Sequence, residues 1–468
     1  MHRRVLQGFA NWEHGLRGIA RCRVWRTCGP CVRNHEPLSA LDQALTDARE
    51  SYLERRPRSV SEHATAKQYM PGGNTRTVLF HGPVPLRVVQ ASGCRLQDAD
   101  GHEYVNFLGE YTAGLFGHGH PVIRAAIDAA LDAGISLSAH NPHEVELARL
   151  VCERFPSIES VRFTNSGTEA NLLAISTARF QTGRSKVLVF RGGYHGSVFY
   201  FRSGDMPINA PFDYLVADYN DTESCRELIR ANAVDLACVL VEPMQGATGC
   251  IPASREFLQT LREECSACGA LLIFDEVMTS RLSPGGAQQL FDVMPDMTTL
   301  GKYIAGGMSI GAFGGRMPLM DCFDPEQPDS IPHAGTFNNN VLSMAAGVAA
   351  LRDVLSDDLL DAVNRRGDRL RSRLNDVASE LDLPMQFTGM GSLIAMHAVT
   401  GEIRSIHDIQ QADSRKTELL FLALLERGYY IAPRGFLSLM LSVGDAECDG
   451  LVQAVTDILS QYRTCLID

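Results

Sequence analysis

Lys302 and Asp275 could carry out amine chemistry, because of their residue types and their positions in the sequence. Lys302 lies in a glycine-rich stretch that runs to Gly307, where a lysine side chain can reach a bound aldehyde. Asp275 ends the apolar run that starts at Leu271, and such a strand end can hold a buried negative charge. An imine-forming amine and a carboxylate that keeps a pyridine nitrogen protonated are what pyridoxal phosphate requires. Each residue alone also fits an ordinary role, as a surface lysine or a helix-capping aspartate.

Three further motifs follow predicted strands. The segment 165–168 closes a strand and opens a helix, so its backbone N–H groups and hydroxyls predict either an anion site or a simple helix cap. The segment 192–196 contains Tyr194, whose ring could stack on a flat heterocycle or could pack in the core. Glu242 ends another strand, where it could serve the site or cap a helix.

Short apolar strands alternate with helices through the middle of the chain. This alternation predicts a mostly parallel sheet that is covered on both faces, with ligands at the carboxyl ends of its strands. Asn165, Glu242 and Asp275 all lie at such ends. Further on, Met396 and the run from Leu439 to Ser442 are predicted to be strands of a smaller α+β domain.

Composition excludes several classes of function. The 468 residues are 45% hydrophobic and carry a net charge of −12, which disfavours a nucleic-acid partner. No apolar run is long enough to cross a bilayer, so no membrane partner is expected. The 13 scattered cysteines indicate reduced thiols and predict a cytoplasmic protein. Two CxxC pairs, at 28–31 and 265–268, lack a matching ligand pair, so we expect no metal.

The first 36 residues are rich in arginine and contain only two acidic residues, Glu13 and Glu36. This composition is typical of transit peptides, but the segment has no signal-peptide core. A disordered tail or an upstream start codon also explains this composition, and we expect a disordered tail rather than a targeting segment.

Taken together, these motifs resemble the class III aminotransferases over residues 38–468. The resemblance implies pyridoxal phosphate fold type I, with a large, mostly parallel, seven-stranded sheet and a smaller α+β domain. It implies that Lys302 binds the cofactor aldehyde and moves a proton, and that Asp275 pairs with the ring nitrogen. Val277 would pack on the ring face opposite the substrate, and Tyr194 would stack on the ring.

The resemblance also implies how the rest of the cofactor is held. Ser166, Gly167 and Thr168 would bind the phosphate, and His195 and Glu242 are further cofactor-binding residues. Thr336 would reach the phosphate of a neighbouring subunit, so a homodimer is expected.

Two groups within the family match the chain best. Tyr69 to Gly73 and the segment 274–279 match the style of glutamate-1-semialdehyde aminomutase. Asn74-Thr75-Arg76, the segment 279–282 and the segment 335–340 match the β-amino-acid aminotransferases typified by the β-phenylalanine enzymes. The early position of Arg76 and the absence of a proline after Asn340 depart from the aminomutase pattern.

The expected function is therefore transfer of an amino group from an aryl- or alkyl-substituted β-amino acid to a 2-oxo acid, with the aminomutase as the alternative. Arg76 is the candidate that binds the substrate carboxylate, and Arg434 is the candidate for the acceptor. The expected organisation is a tail at 1–37, a segment at 38–91 that joins the small domain, a large cofactor-binding domain at 92–336 and a small domain at 337–468.

Overall fold

The computed structural model describes residues 39–467, so the tail predicted at 1–37 lies outside the described residues. The helices are α1 Ala40–Arg55, α2 Pro57–Ala66, α3 Pro121–Ala133, α4 Pro142–Arg154, α5 Gly167–Thr182, α6 Thr222–Ala231, α7 Arg255–Cys268, α8 Ala287–Phe291, α9 Met317–Met320, α10 Val341–Val348, α11 Asp357–Glu380, α12 Ser414–Glu426, α13 Asp445–Gln461 and α14 Arg463–Ile467. Within this range, no helix is both long and apolar enough to cross a membrane.

Strands alternate with these helices through the middle of the chain. They are β1 Val88–Ser92, β2 Arg95–Asp98, β3 Glu103–Asn106, β4 Ser160–Thr164, β5 Lys186–Phe190, β6 Asp213–Ala217, β7 Leu236–Val241, β8 Met244–Gln245, β9 Ile251–Pro252, β10 Leu271–Asp275, β11 Met297–Gly301, β12 Gly311–Gly315, β13 Gln386–Met390, β14 Leu393–His397, β15 Tyr429–Tyr430 and β16 Phe436–Ser438.

Seven strands form the main sheet in the order β4-β12-β11-β10-β7-β5-β6. Only β12 runs antiparallel to its neighbours, so the prediction of a mostly parallel sheet is confirmed. Every residue of β7 and of β10 is buried, which explains why both strands are continuously apolar up to their last residues. Six strands of this sheet therefore end at one edge, where the predicted site residues follow them.

The glycines of β12 allow a close approach between this strand and the start of α5. A Cβ atom on Gly311 would lie 2.1 Å from the Ser166 carbonyl oxygen, so a larger residue would push α5 away. The Ser166 side chain caps α5 by accepting from the Glu169 N–H, and Gly183 ends the helix in the left-handed conformation at φ 66°.

Three smaller sheets complete the fold. One has the order β1-β2-β3-β15, another the order β13-β14-β16, and the third is the hairpin β8-β9. The strand predicted at Met396 is confirmed in β14, but the strand predicted from Leu439 to Ser442 is wrong. The strand in this region is β16. Leu439, which follows it, is buried, and its N–H bonds to the Ser392 carbonyl outside a regular ladder.

Candidate active site

Strands β4, β5, β7, β10 and β11 all end at the same edge of the main sheet. Asp275, the last residue of β10, lies opposite Thr299 in β11, and Phe274 lies opposite Val241 in β7. The next residue after β7 is Glu242, and the next after β11 is Lys302. Side chains that are far apart in sequence therefore converge, as expected for a mostly parallel sheet.

Asp275 is a buried carboxylate, and both of its oxygens accept hydrogen bonds. Its Oδ2 accepts from His195 Nδ1 and from Asn171 Nδ2, both at 2.8 Å, and its Oδ1 accepts from the Val277 N–H at 3.0 Å. Thr299 Oγ1 in turn donates to Asn171 Oδ1 at 2.7 Å. These hydrogen bonds hold the carboxylate in one orientation.

Glu242 is a second buried carboxyl group near Asp275. Its Oε1 accepts from the Tyr194 N–H and its Oε2 from the Gly246 N–H, each at 2.9 Å. Burial raises the pKa of Glu242 to about 7; His195 opposes this shift, and the charge of Asp275 adds to it. Glu242 therefore fixes the loop that carries Tyr194 and titrates close to neutral pH.

Lys302 lies in the turn after β11 with its backbone in the left-handed region, at φ 57°. The side chain is half-buried, and within residues 39–467 it makes no hydrogen bond or ion pair. Burial lowers the pKa of Lys302 to about 8, which Asp275 and Glu242 oppose, while the charges of Arg434 and Arg281 lower it further. A lysine with such a pKa is a competent nucleophile and base near physiological pH.

The start of α5 offers donors to an anion. Ser166 Oγ accepts from the Glu169 N–H and Thr168 Oγ1 accepts from the Ser197 N–H, each at 3.3 Å, so the hydroxyl hydrogens of Ser166 and Thr168 remain available to donate. Gly196, at φ 121°, packs on Thr168, and a Cβ atom there would lie 2.2 Å from Thr168 Oγ1. The helix start and the two hydroxyls together suit a phosphate.

Two further side chains, Val277 and Tyr194, extend the site beyond the start of α5. Val277 packs against the backbone on both sides of the site, since a Cβ on Gly167 would lie 2.9 Å from Val277 Cγ2 and a Cβ on Gly301 would lie 3.4 Å from Val277 Cγ1. The Tyr194 ring is 42% exposed and meets the Tyr200 ring edge-to-face at 5.7 Å. Both side chains can contact a flat ring.

These residues fit pyridoxal phosphate. The unpaired amine of Lys302 suits an aldehyde, the oriented carboxylate of Asp275 suits a protonated ring nitrogen, and the start of α5 suits a phosphate. Within residues 39–467, no group of three or more His, Cys, Asp or Glu side chains could hold a metal ion.

The two predicted substrate arginines lie beside one loop, residues 109–112. Arg76 forms an ion pair with Glu110, and these side chains are 46% and 49% exposed. The Arg434 guanidinium lies 5.1 Å from the centre of the Tyr111 ring and 5.7 Å from that of Phe436. The positive charge of Arg434 also lowers the pKa of Lys302, which places this arginine near the amine.

Thr336 is not brought together with the other predicted site residues in this chain. Its side chain is exposed, in the segment that precedes α10. Nearby, Asn338 Oδ1 accepts from Asn165 Nδ2 at 3.1 Å, which ties the segment to the end of β4.

Arg281 is a residue that the sequence did not assign to the site. It is fully buried and has no carboxylate partner among the described residues; instead it donates to Ser438 Oγ at 3.0 Å, to the Thr112 carbonyl at 3.4 Å and to the Leu439 carbonyl. Burial lowers the pKa of Arg281 to about 10. Arg281 therefore fixes the loop 109–112 to the chain that carries Phe436.

Comparison with known proteins gives the family. The family profile for class III aminotransferases matches residues 80–459. The chain is 49% identical to the β-phenylalanine transaminase of Variovorax paradoxus over 92% of this chain and 98% of that protein. It is 36% identical to the glutamate-1-semialdehyde 2,1-aminomutase of Methanothermobacter thermautotrophicus over 85% of this chain and 98% of that protein.

Solved structures agree with this result. The crystal structure of the Variovorax paradoxus β-phenylalanine aminotransferase superposes with a TM-score of 0.90 and covers 91% of this chain and 99% of that one. A transaminase with pyridoxal phosphate bound, 34% identical, superposes with a TM-score of 0.81 and covers 88% of this chain and 99% of that one. The fold and the site define a pyridoxal-phosphate-dependent transaminase of fold type I. The chain belongs to the class III aminotransferases.

Proposed function

We propose that this enzyme transfers the amino group of a β-amino acid, a 3-aryl or 3-alkyl 3-aminopropanoate, to a 2-oxo acid. The observation that carries the proposal is the pair of arginines, Arg76 and Arg434, which contact consecutive residues of the loop 109–112, with the charge of Arg434 acting on Lys302. A transaminase binds two carboxylate substrates in turn, and two guanidinium groups suit this task. The 49% identity to a β-phenylalanine transaminase supports the choice of a β-amino acid.

Each residue of the site has a separate role. When bound, pyridoxal phosphate supplies an aldehyde that takes up the amino group and a ring that stabilises negative charge on the neighbouring carbon. Lys302 Nζ, with its pKa of about 8, holds the cofactor and removes the proton from the amine-bearing carbon of the substrate. Asp275 keeps the ring nitrogen protonated, and His195 and Asn171 hold Asp275 in place.

The remaining residues orient the cofactor. Ser166, Gly167 and Thr168 hold the phosphate at the start of α5, where the helix dipole favours an anion. Val277 and Tyr194 contact the ring; Glu242 supports Tyr194 through its backbone N–H.

The carboxylates of the two substrates bind to different arginines. Arg76 binds the carboxylate of the β-amino acid, because its segment matches that of the β-amino-acid enzymes. Arg434 binds the carboxylate of the 2-oxo acid, and its position over the Tyr111 and Phe436 rings leaves the guanidinium edge free for hydrogen bonds.

The active unit is proposed to be a homodimer in the cytoplasm. Thr336 and Phe337 are exposed on the single chain, which is consistent with a contact to the phosphate site of a second chain. Buried cysteines such as Cys225, Cys238 and Cys250 are free thiols, which is typical of a reducing compartment.

The requirement for an acceptor tests this function. Purified enzyme should form glutamate from 2-oxoglutarate and 3-amino-3-phenylpropanoate, with no continued turnover when the 2-oxo acid is left out. Glutamate is the product to measure, since β-keto acids lose carbon dioxide readily. Lys302→Ala is the inactive control. Conversion of glutamate-1-semialdehyde to 5-aminolevulinate without an acceptor, at a higher kcat/KM than the β-amino acid, would instead establish the aminomutase.

A further inference from the structure

The loop 109–112 has an unusual backbone. Gly109, Glu110, Tyr111 and Thr112 all have positive φ, at 54°, 51°, 50° and 81°. Non-glycine residues rarely adopt the left-handed region because their Cβ atoms crowd the backbone, so three such residues in succession persist only where surrounding contacts hold them.

Those contacts come from both sides of the loop. Asn106 Oδ1 accepts from the Leu108 N–H at 2.8 Å and the Gly109 N–H at 3.2 Å, which fixes the start of the loop. Arg281 Nη1 donates to the Thr112 carbonyl at its end. The loop also lies against β16, since a Cβ atom on Gly109 would lie 2.7 Å from the Ser438 carbonyl.

This fixed backbone conformation places two consecutive side chains, Glu110 and Tyr111, against the two proposed substrate-binding arginines. Glu110 pairs with Arg76, while Tyr111 lies under Arg434 and stacks on Phe436 at 5.7 Å. Tyr111 Oη also donates to the Val78 carbonyl at 2.7 Å, two residues beyond Arg76, so the segment that carries Arg76 is tied to the same loop. Glu110 is therefore presented to Arg76 by a fixed backbone.

We infer that Glu110 is a specificity-determining residue that acts as an internal carboxylate, occupying Arg76 until the carboxylate of a substrate displaces it. The inference rests on the proposed role of Arg76 in substrate binding. A carboxylate ligand must break the Glu110–Arg76 pair, whereas an uncharged ligand leaves it intact. Glu110 thereby weakens the binding of carboxylates relative to neutral ligands of the same shape.

The exposure of the pair sets the size of this effect. Each side chain is about half exposed, so solvent screens the attraction and the pair can be exchanged. Removing the competing charge should tighten carboxylate binding by about three- to fivefold in dissociation constant, the upper part of the range that exposed ion pairs provide.

The test uses two ligands of matched shape. Isothermal titration calorimetry on the holoenzyme compares 3-phenylpropanoate, which has the carboxylate but no amino group, with the neutral 3-phenylpropanamide. In Glu110→Gln, which keeps the shape of the side chain, the dissociation constant of the carboxylate should fall by about three- to fivefold relative to that of the amide. Equal changes for the two ligands, no change, or no binding of the carboxylate by either protein would overturn the inference.

Two controls separate competition from a general structural effect. In an Arg76→Gln background, Glu110→Gln should no longer alter carboxylate binding, because the residue for which Glu110 competes is gone. Glu153→Gln removes the charge from another exposed pair, with Arg149, and should leave both ligands unaffected. An effect of Glu110→Gln that persists without Arg76 would contradict the inference. The amino-transfer rates of the wild-type enzyme decide the proposed function separately.

Discussion

At the scale of single residues, burial shifts two ionisable groups of the site in opposite directions. The pKa of Glu242 rises to about 7, and the pKa of Lys302 falls to about 8. Both shifts arise because burial disfavours the charged form of each group. A carboxyl and an amine that both titrate near neutral pH suit a site that must move protons under physiological conditions.

The raised pKa of Glu242 predicts a pH dependence of stability. In the unfolded chain the group ionises near 4.5, whereas in the folded, cofactor-free protein it ionises near 7, so the folded state binds the extra proton between these values. The contribution of Glu242 to the unfolding free energy should therefore be present below pH 4.5 and be lost as pH rises through 7, a change of about 3 kcal/mol.

Urea denaturation over a pH series measures this contribution as the difference between wild type and Glu242→Gln. The variant should lack the decrease in stability between pH 5 and 7, while Glu153→Gln, an exposed control, should retain it. Parallel pH profiles for wild type and Glu242→Gln would show that Glu242 is not the group responsible.

The proposed role of Asp275 leads to a second prediction, which concerns kcat and cofactor binding. Asp275→Ala should lower kcat by at least about 100-fold, since the ring nitrogen loses the charge that stabilises its protonated form. Pyridoxal phosphate should still bind, with a dissociation constant raised by no more than about tenfold, because the donors at Ser166 and Thr168 remain. Equal losses of binding and of kcat would mean that Asp275 serves mainly to hold the cofactor.

Residue type and position at strand ends were sufficient to predict that Asp275 and Glu242 lie together. The partners of Asp275 could not be predicted, because Asn171 is 104 residues away and reads as an ordinary residue of a helix. Likewise, nothing in the sequence signalled the role of Glu110. The direction of its side chain comes from a left-handed backbone that is held locally by Asn106 and, across the fold, by Arg281.

At the scale of elements, Arg281 links the loop 109–112 to the chain after β16. The sequence showed Arg281 only as part of a family motif, and its burial depends on carbonyl groups that lie more than 150 residues away. The alternation of short strands with helices was predicted correctly, because runs of apolar residues are a local property of the sequence. The apolar run that follows β16 was misread, since burial there comes from tertiary contacts rather than a ladder.

Replacing Arg281 tests this link. Arg281→Met fills a similar volume but leaves the Thr112 and Leu439 carbonyls and Ser438 Oγ without their donor, so the unfolding free energy should fall by about 2–3 kcal/mol. Urea denaturation measures the change. Arg149→Met, on an exposed helix face, is the matched control and should change stability by less than about 0.5 kcal/mol. A variant as stable as wild type would show that Arg281 does not hold the loop.

At the scale of the whole molecule, a site built by two chains predicts complementation. Lys302→Ala and Thr336→Ala chains should each have low activity as homodimers, because the first lacks the amine and the second lacks a phosphate contact from the partner. Mixed dimers should recover part of the activity, since one of their two sites carries both native residues. Activity assays after co-refolding, with light scattering to give the mass, make the measurement. A fully active monomer would contradict the proposed assembly.

Tracing the amino nitrogen from substrate to product tests the proposed amino transfer most directly. The enzyme is given ¹⁵N-labelled 3-amino-3-phenylpropanoate and unlabelled 2-oxoglutarate, and the products are followed by mass spectrometry. The account predicts that ¹⁵N appears in glutamate with wild-type enzyme and not with Lys302→Ala. Retention of all ¹⁵N in the original carbon skeleton, or equal transfer by Lys302→Ala, would contradict it.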